Sequence, residues 1–489
     1  MLFNSFEFIL AFLPVTLLVY FVLLRQRLTM AAKSWLLFAS LFFYSWWNVR
    51  YLPLILGSIL FNYTIGGLLA EYDADRPKAV SKRAIFVTGV IANILLLCWF
   101  KYMDFFIATA NGLLGTHLPL LKIVLPLGIS FFTITQIAFL VDAYEGLVEE
   151  RNLLNYALFV TFFPHLLAGP ILHHKDMMPQ FERLRNKVVT WKNLYLGLML
   201  FFLGLFKKVV VADTFSRWAS AGFDTAQPLT LVPAWLAALS YTFQLYFDFS
   251  GYSDMAVGIG WMFNVSLPIN FNSPYKATGM IDFWKRWHIT LTTFVTTYLY
   301  TPILRAFGRI TFSRSLGAIF LAMLISGFWH GAGWTFIIWG GMHGLGLVVN
   351  HAWKKRKLPM PGLLGWLITF NFVNLSFVFF RAKSLDNALR MLGGMAGMNG
   401  VMLHRSLATS KLLAKMGITF GGWLDAIKGS DRTWIMVLCA FPIVVFWKNS
   451  LEIVSRVRPA WSWFALLLIV AYWSLLDMSK VSEFLYFQF

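Results

Sequence analysis

Apolar residues run along this chain in long unbroken blocks rather than in alternation with polar ones. The first block, 6–24 (FEFILAFLPVTLLVYFVLL), holds a single charge, Glu7, and one helix-bending residue, Pro14. A helix needs roughly 20 apolar residues to cross the hydrocarbon core of a bilayer, whereas a membrane barrel needs strands of about ten residues with alternating polarity. The pattern predicts helices. Further blocks predict crossings at about 34–48, 52–70, 84–103, 118–141, 153–172, 193–212, 232–249, 291–304, 315–350 (one segment or two passes), 364–380, 434–447 and 461–477. The expected fold class is all-α, a polytopic integral membrane protein with about 11–13 crossings. The expected organisation is a single polytopic membrane domain: N-terminal helices in 1–115, a core in 116–353 and C-terminal helices in 354–489. Within the last part, 384–432 is more polar and Gly-rich, and predicts an interfacial helix plus a loop. The first block is not expected to be a cleaved signal, because no basic region precedes it and no small-residue cleavage site ends it.

Composition agrees with the pattern. The 489 residues are 58% hydrophobic and only 13% charged, against about 45–50% and about 25% for a soluble domain. That excludes a soluble enzyme, a disordered chain and a secreted disulfide scaffold. Cys98 and Cys439 both lie in apolar runs, where a thiol acts as a small hydrophobe, so neither a disulfide framework nor a Cys-based zinc site is expected.

The remaining charge is lopsided, with 41 Lys and Arg against 22 Asp and Glu, a net +19. Without a nucleic-acid motif the surplus reads as cationic loops held at the cytoplasmic face and against anionic lipid, so no nucleic-acid partner is expected. Basic loops (Arg25, Arg27, Lys33, then Arg76, Lys78, Lys82, Arg83) alternate with a poor one (Arg50), although Asp73 and Asp75 share the second basic stretch. The alternation predicts an N-terminus outside the cytoplasm, and 173–193, with Lys175, Arg183, Arg185, Lys187 and Lys192, facing the cytoplasm.

Polar residues inside membrane spans are costly and therefore mark candidate chemistry. Three places concentrate them. In QLYFDFSGYSD (244–254) a helix is expected to stop near Gly251, leaving Asp248 either to cap the next helix or to face a substrate. In DFWKRWHIT (282–290) a membrane-interface helix is expected, with Trp284, Trp287, Lys285 and Arg286 at headgroup level and His288 packed. In 315–353 there is no Asp, Glu, Lys or Arg at all, and His330 stands near the middle, among Gly327, Gly331 and Gly333. Those glycines are expected to weaken the helix and to let other backbones or a ligand come close. A lone buried His is often a hydrogen-bonded core residue, but a neutral imidazole in a dry setting is also what a general base requires. His343 in GGMHG is a weaker candidate for its partner. No zinc-binding HExxH, phosphate loop or GxSxG elbow is present, and no metal site is expected.

FWKRWHIT (283–290) followed by GFWHGAGW (327–334) resembles the membrane-bound O-acyltransferase family, in which an upstream polar residue is paired with a downstream His. Supporting stretches follow in order and cover most of the chain: MLFNSFEFILAFLP at the start, PLGISFFTITQIAFLVDAY (126–144), FFPHLLAGPILH (162–173), GLFKKVVVAD (204–213), YFDFSGYSDMAVGIG (246–260) and EFLYFQF at the end. The resemblance is nearer to the bacterial branch, with the membrane subunit of alginate O-acetyltransferase and relatives acting on peptidoglycan and cellulose. It implies a ring of tilted helices around a central tunnel, with 116–353 as the catalytic core. His330 matches the catalytic His and His288 its upstream partner. It further implies acetyl-CoA as donor substrate with no permanently bound cofactor, a polysaccharide acceptor, a periplasmic acetyltransferase partner and a place in the bacterial inner membrane among its lipids, the N-terminus being periplasmic. Tyr246, Asp248 and Trp329 are then candidates for substrate contact, and Lys285 and Arg286 for the coenzyme A phosphates. Two alternatives stay open: D-alanyl transfer to teichoic acid from a carrier protein, and a polytopic transporter or flippase, against which the lack of an inverted repeat speaks.

Overall fold

The computed structural model describes residues 1–72, 80–148, 152–167, 169–458, 460–478 and 484–485. Asp73, Asp75, Arg76 and Lys78 of the third loop, Ala168, and Glu483 and 486–489 of the C-terminal motif lie outside the described residues. Helices carry nearly all of the regular structure, as the apolar blocks require. Six helical stretches among the described residues are long and apolar enough to cross a membrane: Phe8–Arg25, Val49–Ala70, Lys82–Leu114, Trp191–Asp224, Phe312–His330 and Gly362–Arg381. The chain is an all-α, multi-pass membrane protein.

The described chain forms two compact units. One comprises 1–205, 252–269 and 457–469, the other 206–251, 270–456 and 470–489. The first is held by rings and amide pairs. Phe3, Phe8, Phe43 and Phe163 pack as tilted and edge-on rings with centroids 4.9–6.1 Å apart. Asn62 and Asn93, both buried, exchange side-chain hydrogen bonds of 3.2 and 2.6 Å. Gln136 donates to Ser58 at 2.9 Å. Polar side chains within apolar helices pair in this way because lipid offers them no partner.

The second unit contains the candidate chemistry. Its core is a continuous cluster of buried residues on helices Leu231–Met262, Phe312–His330, Trp334–Lys355, Gly362–Arg381 and Asp431–Phe446, with the short helix Met280–Trp284 inserted among them.

Several expected boundaries move, each for a physical reason. The block at 118–141 becomes helical only at Ile129, after Pro119, Pro126 and the left-handed Gly128 (φ 72°). The block at 153–172 breaks into Leu153–Thr161 and Phe163–Leu166, where Pro164 removes a helical N–H. The charge-free segment is two helices, Phe312–His330 and Trp334–Lys355, joined by residues 331–333. In 384–432 the amphipathic helix Leu385–Met395 is present, and the loop adds a two-stranded parallel sheet, Met402–His404 with Thr419–Gly421.

Two local expectations are corrected. The helix expected to stop near Gly251 runs unbroken from Leu231 to Met262. A mid-helix glycine costs only about 1 kcal/mol, and nearly every residue from 240 to 260 is buried, so packing overrides it. The expected interface helix over 282–290 ends at Trp284, and His288 adopts φ 43°, ψ 55° as the residue before helix Ile289–Phe294.

Candidate active site

His330 is the last residue of its helix, only 4% exposed, and Gly331 continues in extended conformation. Three aromatic rings hold the imidazole: Trp329 at 4.9 Å, Trp339 at 5.0 Å and Phe380 at 5.3 Å between centroids. Gly327, before it, serves a close approach of backbones. A Cβ on Gly327 would stand 2.5 Å from the Phe336 carbonyl oxygen and 2.7 Å from the Gly340 Cα. Real side chains do not tolerate such distances, so the two helices meet at this point only because both residues lack one.

His343 joins the same cluster. Its ring packs on Trp339 at 4.6 Å and on Trp284 at 5.3 Å. The Trp284 indole N–H donates to His343 Nδ1 at 3.2 Å. Nδ1 is thereby an acceptor, so Nε2 carries the proton and donates to Ser376 Oγ at 2.8 Å; Ser376 in turn donates to the Val373 carbonyl at 2.7 Å. The chain of donors fixes one tautomer and clamps Trp284.

His288 sits in different company. It is fully buried, its Nδ1 is 3.2 Å from Asn270 Oδ1, and its ring stands edge-on to Phe249 at 4.7 Å. Asn270 also accepts from the Thr290 hydroxyl at 2.6 Å, and its carbonyl accepts from the Ile289 N–H at 2.9 Å. This one side chain holds the positive-φ turn. Asn270 was not singled out from the sequence, because an Asn in a polar loop carries no visible signal before the fold brings it to residue 288.

The other candidates divide between engaged and accessible. Asp248 accepts from Lys208 Nζ at 2.7 Å and from the Leu485 backbone N–H at 3.2 Å, and Lys208 also reaches Asp213 at 2.8 Å. Lys208 is 2% exposed, so the ion pair is fully interior. It ties helix 231–262 to the segment Lys207–Ala212, a π-helical stretch of the kind often found at functional positions. Tyr246 lies in a ring cluster with Phe271, Tyr275 and Trp287, and Lys207 Nζ stands 5.7 Å over its face. Arg286 is paired with Asp282 at 2.8 Å. Lys285 instead lines a cavity of about 280 Å³, together with Trp284, Thr292, Met323, Ser326 and His351. Ser326 precedes His330 by one helical turn on the same buried face, so the cavity ends beside the His330 cluster. Among the described residues no group of three or more His, Cys, Asp or Glu side chains could hold a metal ion.

This arrangement offers an imidazole in a water-poor aromatic setting, next to an apolar cavity with a cation in its wall. The family model for MBOAT, the membrane-bound O-acyltransferase family, matches residues 41–383, which include every one of these candidates. The chain belongs to this family. It is an O-acyltransferase. A peptidoglycan O-acetyltransferase of Helicobacter pylori is 45% identical over 100% of this chain and 98% of its own length. A probable alginate O-acetylase AlgI of Pseudomonas aeruginosa is 39% identical over 81% of this chain and 75% of its own. A teichoic acid D-alanyltransferase of Streptococcus thermophilus is 29% identical over 52% of this chain and 68% of its own. In this membrane-bound O-acyltransferase the gap in charge along 315–353 encloses His330, whose imidazole is surrounded by rings at the junction of two helices.

Proposed function

We propose that this chain takes an acetyl group from cytoplasmic acetyl-CoA and passes it across the bacterial inner membrane for O-acetylation of an extracytoplasmic polysaccharide. A peptidoglycan glycan is the favoured acceptor, because the H. pylori enzyme is 45% identical over the whole chain whereas the alginate O-acetylase of Pseudomonas putida, over the same span, is 36% identical. His330 is the general base, and the observation that carries the reading is its setting: buried, enclosed by three rings, and one helical turn from Ser326 in the wall of a cavity.

The chemistry follows from the groups. A hydroxyl is a poor nucleophile at neutral pH, so the attack on the thioester carbonyl needs a base at the oxygen. The His330 imidazole takes that proton, the oxygen–carbon bond forms, and coenzyme A leaves as a thiolate, which is a good leaving group. Lys285 in the cavity wall supplies positive charge to the donor phosphates, with Arg286 beside it. Trp329 borders the reacting group. Tyr246 and His288 shape the surrounding core, and Asp248 holds it together through Lys208. The N-terminus is assigned to the periplasm, where a partner acetyltransferase receives the acetyl group and completes the transfer to the polymer.

The second reading, D-alanyl transfer from a carrier protein, is favoured by the D-alanyltransferase relatives, but these match about half to two thirds of the chain. Membranes carrying the protein and labelled acetyl-CoA separate the two. Label release that free coenzyme A inhibits supports the acetyl reading. Turnover only with an acylated carrier protein would replace it. Saponifiable acetate on isolated peptidoglycan, with and without the protein, tests the acceptor.

A further inference from the structure

Among the described residues, the buried indole N–H of Trp339 and the buried hydroxyl of Ser326 find no hydrogen-bond acceptor. Each residue is only 2% exposed. The Trp339 ring meets the His330 ring nearly at right angles, 86°, with centroids 5.0 Å apart. Ser326 lines the 280 Å³ cavity one helical turn before His330. Each stands one position before a glycine of the contacting pair, Ser326 before Gly327 and Trp339 before Gly340.

A buried donor without an acceptor costs free energy, a cost that an apolar side chain at either position would not carry. What would repay the N–H and the O–H is an acceptor that arrives with the substrate. The acceptor in this reaction is the thioester carbonyl oxygen, and it becomes a strong one only when it gains charge.

We propose that Trp339 Nε1–H and Ser326 Oγ–H are the oxyanion donors of the acyl transfer, a reading that rests on His330 as general base. The acceptor hydroxyl oxygen bonds to the carbonyl carbon while its proton passes to the His330 imidazole. The carbonyl π pair moves onto oxygen, which accepts from the two donors. Collapse restores the C=O bond and breaks the C–S bond, coenzyme A leaves as a thiolate, and the imidazolium then gives its proton to that thiolate. Donors that meet charge only as it develops lower the barrier without tightening donor binding.

The test uses the full chain in lipid nanodiscs with labelled acetyl-CoA. Trp339 is replaced by 3-benzothienylalanine, which keeps the bicyclic shape and exchanges N–H for sulfur, and separately by Phe; Ser326→Ala is the third variant. Single-turnover acetyl transfer and equilibrium acetyl-CoA binding are measured on each, with thermal melting to show the fold intact. The expected result is a rate loss of about 10²–10³-fold for the benzothienyl variant at unchanged donor affinity. Wild-type transfer rates in both the benzothienyl and Ser326→Ala variants would overturn the proposal. So would a rate loss matched by an equal loss of donor affinity, which is the signature of packing. His330→Ala runs alongside: full turnover there would remove the general base instead, whatever the two donors do.

Discussion

Gly327 and Gly340 meet backbone to backbone, and a Cβ on Gly340 would stand 2.6 Å from the Met323 carbonyl oxygen and 2.8 Å from the Gly327 Cα. Helices 312–330 and 334–355 are therefore in closer contact than side chains permit, and the contact fixes where His330, Ser326 and Trp339 stand. Gly340→Ala is expected to force the helices apart at an overpacking cost of about 1–3 kcal/mol, with a lower melting temperature and a marked loss of acyl transfer. Gly341→Ala is the control. The nearest atom to a Cβ there is the end of the Leu324 side chain at 3.7 Å, so both quantities should hold.

The interior ion pair makes a second expectation. Lys208→Met strands the Asp248 carboxylate without its cation, and breaking a buried pair costs about 3–5 kcal/mol. Lys208→Met combined with Asp248→Leu removes both charges and should recover most of that stability, since Asp213 is less deeply buried at 18% exposure. Thermal melting of the three proteins in detergent measures this. If Asp248 contacted substrate instead, Asp248→Asn would lower substrate affinity at an unchanged melting temperature.

Asn270 governs the turn that carries His288. Asn270→Ala removes the acceptor for the Thr290 hydroxyl and the partner of His288 Nδ1, and is expected to cost about 1–3 kcal/mol and much of the activity. Asn270→Asp keeps an oxygen in place and should be the milder change. Paired melting and activity assays on both variants check the order.

Much of the fold was legible because lipid imposes a coarse rule that long apolar blocks form helices, and most of them do, 118–128 being an exception. The limits came where burial outweighs local preference. Gly251 looked like a stop, yet it lies inside a 32-residue helix whose neighbours are buried on all sides. His288 looked helical beside Trp284 and Trp287, yet Asn270, 18 positions earlier, draws it into a positive-φ turn. Asp248 read as a possible substrate contact because its partner Lys208 lies 40 positions away and nothing local announces the pair. The burial of His330 was legible for the opposite reason. Its signal is an absence of charge over 315–353, which is visible in one dimension. The orphan donors on Ser326 and Trp339 were not, because an unmet hydrogen bond exists only once the packing is known.

The central claim is that His330 acts as the base, and His330→Ala in membranes supplied with labelled acetyl-CoA tests it most directly. Loss of a general base costs about 10²–10⁴-fold, so acetyl transfer should fall by at least 10²-fold while the protein inserts and melts as the wild type does. Wild-type transfer by a normally inserted His330→Ala protein would contradict the account.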